Sequence, residues 1–308
     1  HVPDDARTLV LVPALVSGEA RAKALADGFE ALGALDEDDN VEYLLLCDFA
    51  DAPERETPSD EALVALLRAR VAEMNRRMGR QKYHYLQRER RYAGADNLWR
   101  GHERKRGAVK ALNQLLLTGD DSQFTPERAD AGRLYERAFR YVVTLDADTR
   151  ALPDDIRRLI GTIHHPLNRV RIEDGARKGY ALIAPRVEQG CAPNRFARLM
   201  AGDGGISSYS VAASNLLMDI SDWGAFCGKG VYDVRAFHNA VAKLPDNAIL
   251  SHDLIEGLLA GAGLASDIAV YDDFPKTPSG YLRRLERWTR GDWQLVRFKK
   301  NPANAGQV

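Results

Sequence analysis

The sequence predicts an α/β fold built on a mostly parallel central sheet. Two apolar runs, residues 8–13 and 41–46, flank an alanine-rich segment, residues 20–35, whose larger apolar side chains recur at helical spacing. A strand, a helix and a second strand in this order begin a parallel sheet. Residues 141–145 form a further apolar stretch rich in β-branched side chains, which is typical of a buried strand.

The other segments extend this alternation of helices and strands. Residues 57–60, Thr-Pro-Ser-Asp, predict a helix start with the proline at the first helical position. The remaining predicted elements are an apolar helical stripe over 63–74, a strand at 83–86, a surface loop at 118–130, a helix at 153–163, a strand at 180–185 and a short last strand at 269–271.

The composition is that of a globular protein with a substantial core. The chain has 308 residues, 45% of them apolar, which allows one large or two medium domains. Its 43 basic and 44 acidic residues give a net charge of −1, which indicates no nucleic-acid partner. No apolar stretch is long enough to span a membrane, and no signal peptide is recognisable. Since the chain begins abruptly at His1, we expect it to be a domain of a longer protein.

The three cysteines, Cys47, Cys191 and Cys227, are odd in number and far apart in the chain. They form no Cys-x-x-Cys pair, so the sequence predicts neither a zinc site nor a disulfide framework. This usage is typical of a reducing compartment.

Two aspartates, Asp146 and Asp148, follow the buried strand at 141–145. Carboxylates at the carboxyl end of such a strand lie where open α/β sheets bind ligands. Their oxygens suit Mg²⁺ or Mn²⁺, with phosphate oxygens completing the shell. One alternative is a plain acidic turn. Another is a phosphatase of the haloacid dehalogenase type, although Thr149 comes one place early for the Asp-x-Asp-x-Thr pattern of that family.

Further polar residues suggest a nucleotide site in the first half. Asp48 and Asp51 follow the second predicted strand, where a base or ribose would be held, or else they cap a loop. The basic stretch 88–106 ends in Lys105 and Arg106 just before a predicted helix. Cations at a helix amino terminus favour a diphosphate site, whereas a basic run is more often a solvated face.

The second half has two small motifs with open interpretations. Gly228 and Lys229 belong to a Gly-Lys-Gly stretch that lacks the remaining residues of a P-loop, so it indicates close backbone approach to a substrate instead. Asp253 begins a predicted helix, where it is either a functional carboxylate or an amino-terminal cap.

The stretch 283–294 combines four arginines with two tryptophans. Arg287, Trp288, Arg290 and Trp293 would supply aromatic platforms for a sugar and cations for a leaving diphosphate. The alternative is a basic amphipathic helix at a membrane surface.

The order of these motifs resembles the processive family-2-like glycosyltransferases of the GT-A fold. The resemblance is closer to the glycosyltransferase domain of cyclic β-1,2-glucan synthases (glycosyltransferase family 84) and covers nearly the whole chain. The blocks that carry it are ERKRG at 103–107 with LN at 112–113, TLDADT at 144–149, FARLMAGDGG at 196–205, GKGVYD at 228–233, LSHDLIEG at 250–257 and RWTRGDWQ at 287–294.

The resemblance implies a single GT-A domain over 1–308, a mostly parallel sheet with helices on both faces. It also implies an inverting transfer of glucose from UDP-glucose to the 2-hydroxyl of a growing β-1,2-glucan. Residues 1–150 would form the nucleotide-sugar half, and residues 151–308 the half with the acceptor and the catalytic base. The parent would be a bacterial inner-membrane protein with this domain on the cytoplasmic side, and the partners of this domain would be the membrane and the other domains of the parent chain.

The resemblance also implies residue roles. Asp253 would be the general base, Asp148 would bind Mg²⁺ or Mn²⁺ together with Asp146, and Asp146 would lie near the uridine and ribose. The donor-binding residues would be Asp48, Asp51, Lys105, Arg106, Asp146, Arg287, Trp288 and Arg290, and the acceptor-binding residues would be Gly228, Lys229 and Trp293.

The chain departs from the wider family at two places. Ser251-His252 replaces Thr-Glu before the base, and Arg284 stands where Gln is usual. Two alternatives therefore stay open: a GT-A transferase of another sugar nucleotide or linkage, and a glycosyltransferase-like module that binds glucan without catalysis.

Overall fold

The computed structural model describes residues 1–34, 36–94, 97–126, 129–173, 176–190, 194–200, 212–242, 244 and 253–300. The chain divides into two compact units, His1–Ala147 and Asp148–Val308.

The first unit is an α/β arrangement whose elements alternate as predicted. After a short 3₁₀ turn at Asp4–Ala6 its elements are β1 (Thr8–Val16), α1 (Glu19–Gly33), β2 (Val41–Phe49), α2 (Asp60–Met78), β3 (Tyr83–Gln87), β4 (Arg90–Ala93), β5 (Leu98–Gly101), α3 (Arg104–Thr118), α4 (Ala129–Glu136) and β6 (Tyr141–Thr144).

Four strands of the first unit form a wholly parallel sheet in the order β3-β2-β1-β6. Thr8 of β1 lies opposite Val41 of β2 on one side and Tyr141 of β6 on the other. Every residue of β2 and the whole of β6 is buried, which explains their continuous apolar sequences. The parallel order brings the carboxyl ends of β1, β2, β3 and β6 to one edge.

Several boundaries in this unit differ from the prediction. β2 continues to Phe49, so Asp48 lies within the strand and not after it. α2 begins at Asp60, two residues later than the proline signal indicated, because Asp60 binds the Thr57 N–H and hydroxyl and so closes a turn ahead of the helix. The basic stretch contains the β4–β5 hairpin, and α4 begins at the end of the predicted loop 118–130.

The second unit also mixes helices and strands. Its elements are β7 (Thr149–Arg150), α5 (Pro153–His164), β8 (Arg171–Glu173), β9 (Ala176–Lys178), β10 (Leu182–Gln189), α6 (Arg195–Met200), α7 (Ala212–Ser221), β11 (Gly230–Asp233), α8 (Val234–Val241), α9 (Asp253–Ala260), β12 (Ala262–Asp272) and α10 (Pro278–Lys300).

The strands of the second unit follow the order β11-β10-β12-β7. β10 and β12 are parallel, and the outer pairs, β11 with β10 and β7 with β12, are antiparallel. The prediction of a short strand at 269–271 is wrong in length, since β12 has 11 residues. Its first half is rich in alanine and glycine, which lack the β-branched signature of a strand. The predicted α/β class with a mostly parallel sheet is confirmed.

A buried charged cluster ties three elements of the first unit together. His84 on β3 is fully buried, and its Nε2 lies 2.6 Å from Glu42 Oε2 on β2. The same carboxylate contacts Arg137 Nη2 at 2.5 Å. Asp130 on α4 places Oδ1 3.5 Å from His84 Nδ1 and accepts the Tyr85 N–H. Burial alone would lower the pKa of His84, but the two carboxylates outweigh it and raise that pKa above its ordinary value.

This cluster predicts a pH-dependent stability. Because the folded state raises the pKa of His84, the imidazolium stabilises the fold below the ordinary pKa, and this contribution disappears as the pH rises through the raised one. We expect His84→Gln to lower the free energy of unfolding by about 3 kcal/mol at pH 6 and by clearly less at pH 9. Urea denaturation at both pH values measures this, with the exposed His165→Gln as a control. A destabilisation that is equal at both pH values would contradict the assignment.

Within the described part of the chain, no helix is both long enough and apolar enough to cross a membrane. Cys47 is buried in β2, where burial raises the pKa of its thiol far above the ordinary value. Cys191 lies outside the described residues.

Candidate functional site

The carboxyl edge of the sheet in the first unit is organised by a buried arginine, Arg88, which directly follows β3. Its guanidinium donates to both carboxylate oxygens of Asp48, at 2.7 Å each. It also donates to the main-chain carbonyls of His102 at 3.0 Å and Arg104 at 2.9 Å. Arg88 is only 2% exposed. It therefore connects the end of β2 to the first residues of α3.

The start of α3 has an unusual backbone that depends on this arginine. Glu103 and Arg104 both adopt left-handed φ angles, 54° and 53°, which side chains other than glycine rarely adopt. The next turn passes so close that a Cβ at Gly107 would collide with the His102 carbonyl oxygen. Strained backbone of this kind persists where surrounding contacts over-determine it, and it often marks a functional site.

The predicted cations of the first unit take different positions along the first turn of α3. Lys105 Nζ lies 2.5 Å from Asp146 Oδ1, and both side chains are partly exposed. Arg106 is buried and pairs with Glu103 at 3.0 Å. Of the two cations, Lys105 is thus the one that solvent or a ligand can reach.

The predicted nucleotide aspartates also differ. Asp48 is buried, and both its carboxylate oxygens accept hydrogen bonds from Arg88. Asp51 lies beyond β2 and accepts two hydrogen bonds from Arg104, at 2.9 and 2.7 Å, in a more exposed pair. The interpretation of the basic stretch as a solvated face is wrong for Arg88, Arg90 and Arg106, which are all buried.

In the second unit, Asp148 lies beside the carboxyl-terminal helix α10. Its Oδ2 is 4.0 Å from Arg284 Nη2, and its side chain is 51% exposed. The Arg284 guanidinium lies over the Trp288 ring, 5.7 Å from its centroid, in cation–π geometry. The structure thus brings together three residues that the sequence had singled out separately.

The other predicted residues of α10 lie on its exposed side. Arg287 and Arg290 are exposed, Arg290 reaches Glu286 at 4.0 Å, and Trp293 is 67% exposed. α10 is thus a basic helix on which Trp293 is exposed and Trp288 is partly buried. The roles of these side chains toward a donor or an acceptor stay predictions.

The predicted acceptor and base residues are placed as follows. Gly228 has a left-handed φ of 81°, which favours glycine. Lys229 is 6% exposed, with Nζ 2.8 Å from Asp272 Oδ2. Asp253 is the first residue of α9 and is half-buried. Ser251-His252 and the loop 201–205 lie outside the described residues.

Asp146 and Asp148 suit a divalent cation by their chemistry. Both are carboxylates with exposed fractions of 34% and 51%, two residues apart in the chain. The described residues contain no group of three or more His, Cys, Asp or Glu side chains that could hold a metal by themselves. Each carboxylate by itself is of the ligand type that Mg²⁺ or Mn²⁺ takes, since such a metal commonly binds one or two carboxylates and completes its shell with water and phosphate oxygens.

Two residues of the site were missed by sequence reasoning. Arg88 was read as part of a basic run, although its position directly after a buried strand was a signal that it could face the site edge. Asp272 was not among the predicted site residues, although it follows an apolar stretch. Its carboxylate binds Lys229 and Thr149.

The parallel α/β sheet, with acidic and basic side chains at the carboxyl ends of its strands, defines the class of protein: an open-sheet α/β domain of the kind that binds ligands at that edge.

Comparison of the sequence with known proteins gives the particular relationship. The chain is 36% identical over 315 residues to the cyclic β-(1,2)-glucan synthase NdvB of Rhizobium meliloti (strain 1021), in a match that covers 98% of this chain. The resemblance to the cyclic glucan synthases is thereby confirmed. The chain spans 11% of the length of that relative. No protein-family model matches the sequence.

Comparison with solved structures finds matches at low sequence identity. A structure of Staphylococcus aureus TarS, residues 1–349, is 11% identical with a TM-score of 0.45, covering 98% of this chain and 68% of that one. The glucosyl-3-phosphoglycerate synthase of Mycobacterium tuberculosis, in complex with Mn²⁺, UDP and glucosyl-3-phosphoglycerate, is 13% identical with a TM-score of 0.40. It covers 92% of this chain and 76% of that one.

Proposed function

We propose that this chain transfers glucose from UDP-glucose to the 2-hydroxyl of a growing β-1,2-glucan, with inversion at the anomeric carbon. The observation that carries the proposal is the 36% identity to a segment of a cyclic β-(1,2)-glucan synthase, over nearly the whole chain. The retention of Asp146, Asp148 and Asp253 favours a catalytic domain over a module that only binds glucan.

The donor side of the proposal rests on α3. Lys105 lies in the first turn, where the unpaired N–H groups and the helix dipole favour an anion. Its contact with Asp146 holds both side chains at the edge of the sheet while no phosphate is bound. In the proposed complex Lys105 turns to the diphosphate, and Asp146 is released toward the uridine and ribose.

The metal side of the proposal rests on Asp148 and Asp146, which would hold Mg²⁺ or Mn²⁺. When bound, the cation neutralises the diphosphate and so makes UDP a better leaving group. Arg284 lies beside Asp148 and adds positive charge to the same region of the second unit. Arg287 and Arg290 are the further exposed cations that we assign to the donor.

The chemical step assigned to the protein is proton removal. A sugar hydroxyl is a weak nucleophile until a positioned carboxylate accepts its proton as the new bond forms. Asp253 is half-buried at the start of α9. We assign it as the general base, with Gly228 and Trp293 on the acceptor side.

The proposal is tested by calorimetric titration of UDP-glucose and UDP into the purified chain, with Mn²⁺ and then with EDTA. We expect binding that requires the metal, and UDP-glucose to be preferred over UDP-galactose. Equal binding of both sugar nucleotides would favour another donor. Absence of metal-dependent binding would contradict the donor half of the proposal.

A separate prediction concerns the second aspartate of the pair. We expect Asp148→Ala to weaken Mn²⁺-dependent UDP binding by about a hundredfold, equivalent to about 2.8 kcal/mol, because a carboxylate ligand is lost. Asp154→Ala, which removes an exposed carboxylate at the start of α5, should leave the affinity unchanged. The same dissociation constant with and without Mn²⁺ in both Asp148→Ala and the unmodified chain would contradict the metal role.

We also propose that the chain works as one domain of a larger membrane protein. The support is the coverage of 11% of the related synthase, which leaves room for the domains that would anchor the protein and close the glucan ring. A cytoplasmic position of this domain follows from the location of sugar nucleotides, and protease accessibility in oriented membrane vesicles tests it.

A further inference from the structure

Three buried polar side chains form a triad in the second unit, and one of them belongs to the residue that follows Asp148 in the chain. Lys229 Nζ lies 2.8 Å from Asp272 Oδ2. Thr149, the residue after Asp148, donates its hydroxyl to Asp272 Oδ1 at 2.7 Å. All three side chains are buried, so each oxygen of the Asp272 carboxylate has one partner in a region that water hardly reaches.

The backbone around Asp148 needs this support. β7 consists of two residues only, and it pairs with the end of β12 so that Thr149 lies opposite Asp272 and Arg150 opposite Tyr271. A ladder this short contributes few main-chain hydrogen bonds, so the side-chain bond from Thr149 to Asp272 is a large part of what holds it. Asp148 belongs to the turn that enters β7, and its orientation therefore depends on where Thr149 is anchored.

The charge of Lys229 explains why the anchor is stable. Burying a carboxylate without a neighbouring cation costs free energy of folding, and a protonated carboxyl group has fewer hydrogen-bond acceptor sites than a carboxylate. The Lys229 ammonium group lies against this carboxylate, and a carboxylate makes a stronger hydrogen bond to the Thr149 hydroxyl than a neutral acceptor does. The ammonium group is buried in this pair, which leaves it poorly placed to meet a glucan chain.

We propose that Lys229 and Asp272 are positioning residues for Asp148: through Thr149 they fix the turn that presents this carboxylate to the metal and the donor diphosphate. The inference rests on the proposed function, because it concerns the donor site assigned there. It replaces the expectation that Lys229 contacts the acceptor.

The test uses Thr149→Val, which removes the hydroxyl at nearly constant volume and leaves the Lys229–Asp272 pair intact. We expect Mn²⁺-dependent UDP affinity, measured by calorimetry, to fall about tenfold, the equivalent of one lost hydrogen bond to a charged group. Thr149→Ser keeps the hydroxyl and should restore the affinity to within about twofold of the unmodified chain. Asp273→Asn, which removes the partly exposed partner of Arg150 just after the same ladder, is the matched control.

Lys229→Gln gives the second, independent measurement. If Lys229 positions Asp148, this variant should also weaken Mn²⁺-dependent UDP binding, whereas a glucan contact would raise the KM for the acceptor and leave UDP binding unchanged. Circular dichroism verifies that each variant is folded. Unchanged UDP affinity in Thr149→Val, or an effect of Lys229→Gln on the acceptor KM alone, would overturn the inference. Failure of the unmodified chain to bind UDP with Mn²⁺ would instead overturn the proposed function itself, and the inference with it.

Discussion

Asp253→Asn is expected to abolish nearly all glucosyl transfer while leaving UDP-glucose binding intact. Asparagine has almost the same size but does not accept a proton, so only the assistance to the acceptor hydroxyl is lost. General-base catalysis of this kind typically contributes 10²- to 10⁴-fold, and we expect kcat to fall by about a thousandfold. UDP release under saturating donor measures the rate, and calorimetry measures the donor affinity.

The same variant separates catalysis from helix capping. Asp253 is the first residue of α9, where an acidic side chain also stabilises the helix dipole. Asparagine loses this charge–dipole interaction, which is typically worth about 0.3–1 kcal/mol, so the free energy of unfolding should change by less than about 1 kcal/mol. Asp267→Asn, at an exposed site on β12, is the control and should keep full activity. Near-normal transfer by Asp253→Asn would refute the general-base assignment.

Arg88→Met is expected to be the most destabilising single change in the first unit. It leaves the buried Asp48 carboxylate without a cation and removes the donors to the carbonyls of His102 and Arg104. Loss of one partner of a buried ion pair typically costs about 3–5 kcal/mol. Urea denaturation should therefore show a midpoint well below that of the unmodified chain. Arg91→Met, on the exposed side of β4, should have little effect.

A double variant distinguishes stability from positioning at this site. Arg88→Met with Asp48→Leu removes both buried charges, so it should recover much of the lost stability. It should not recover UDP binding, because the strained start of α3 at Glu103 and Arg104 still lacks its guanidinium support. Recovery of stability and UDP affinity together would show that Arg88 serves only the fold.

The predictions that succeeded rest on local patterns. Apolar runs at β1, β2 and β6 and the proline at the start of α5 are short-range signals, and each element was found close to its predicted place. The binding roles of Asp146 and Lys105 stay predictions, made because strand ends and helix starts are where ligands bind in α/β proteins. Their contact at 2.5 Å brings two independent predictions together in one unit.

The predictions that failed rest on contacts between distant residues. A basic run predicts a solvated face because charges seldom leave water, yet Arg88 is buried by its pairing with Asp48, 40 residues earlier. The burial of Lys229 beside Asp272 was likewise not predicted, because the two residues lie far apart in the chain. The spacing of these residues along the chain does not indicate the ion-pair partner whose charge offsets the free-energy cost of burying each cation.

The sequence by itself determined the α/β class, the order of most elements and the relationship to the cyclic glucan synthases. It did so because hydrophobic period, strand ends and helix starts are local features of the chain. Only the tertiary structure decided which cations stay accessible and which are buried in ion pairs. It also decided that Arg284 lies beside Asp148 and over the Trp288 ring. The physical reason is that the position of a charged side chain depends on its partners and its desolvation, and both come from residues far away in the sequence.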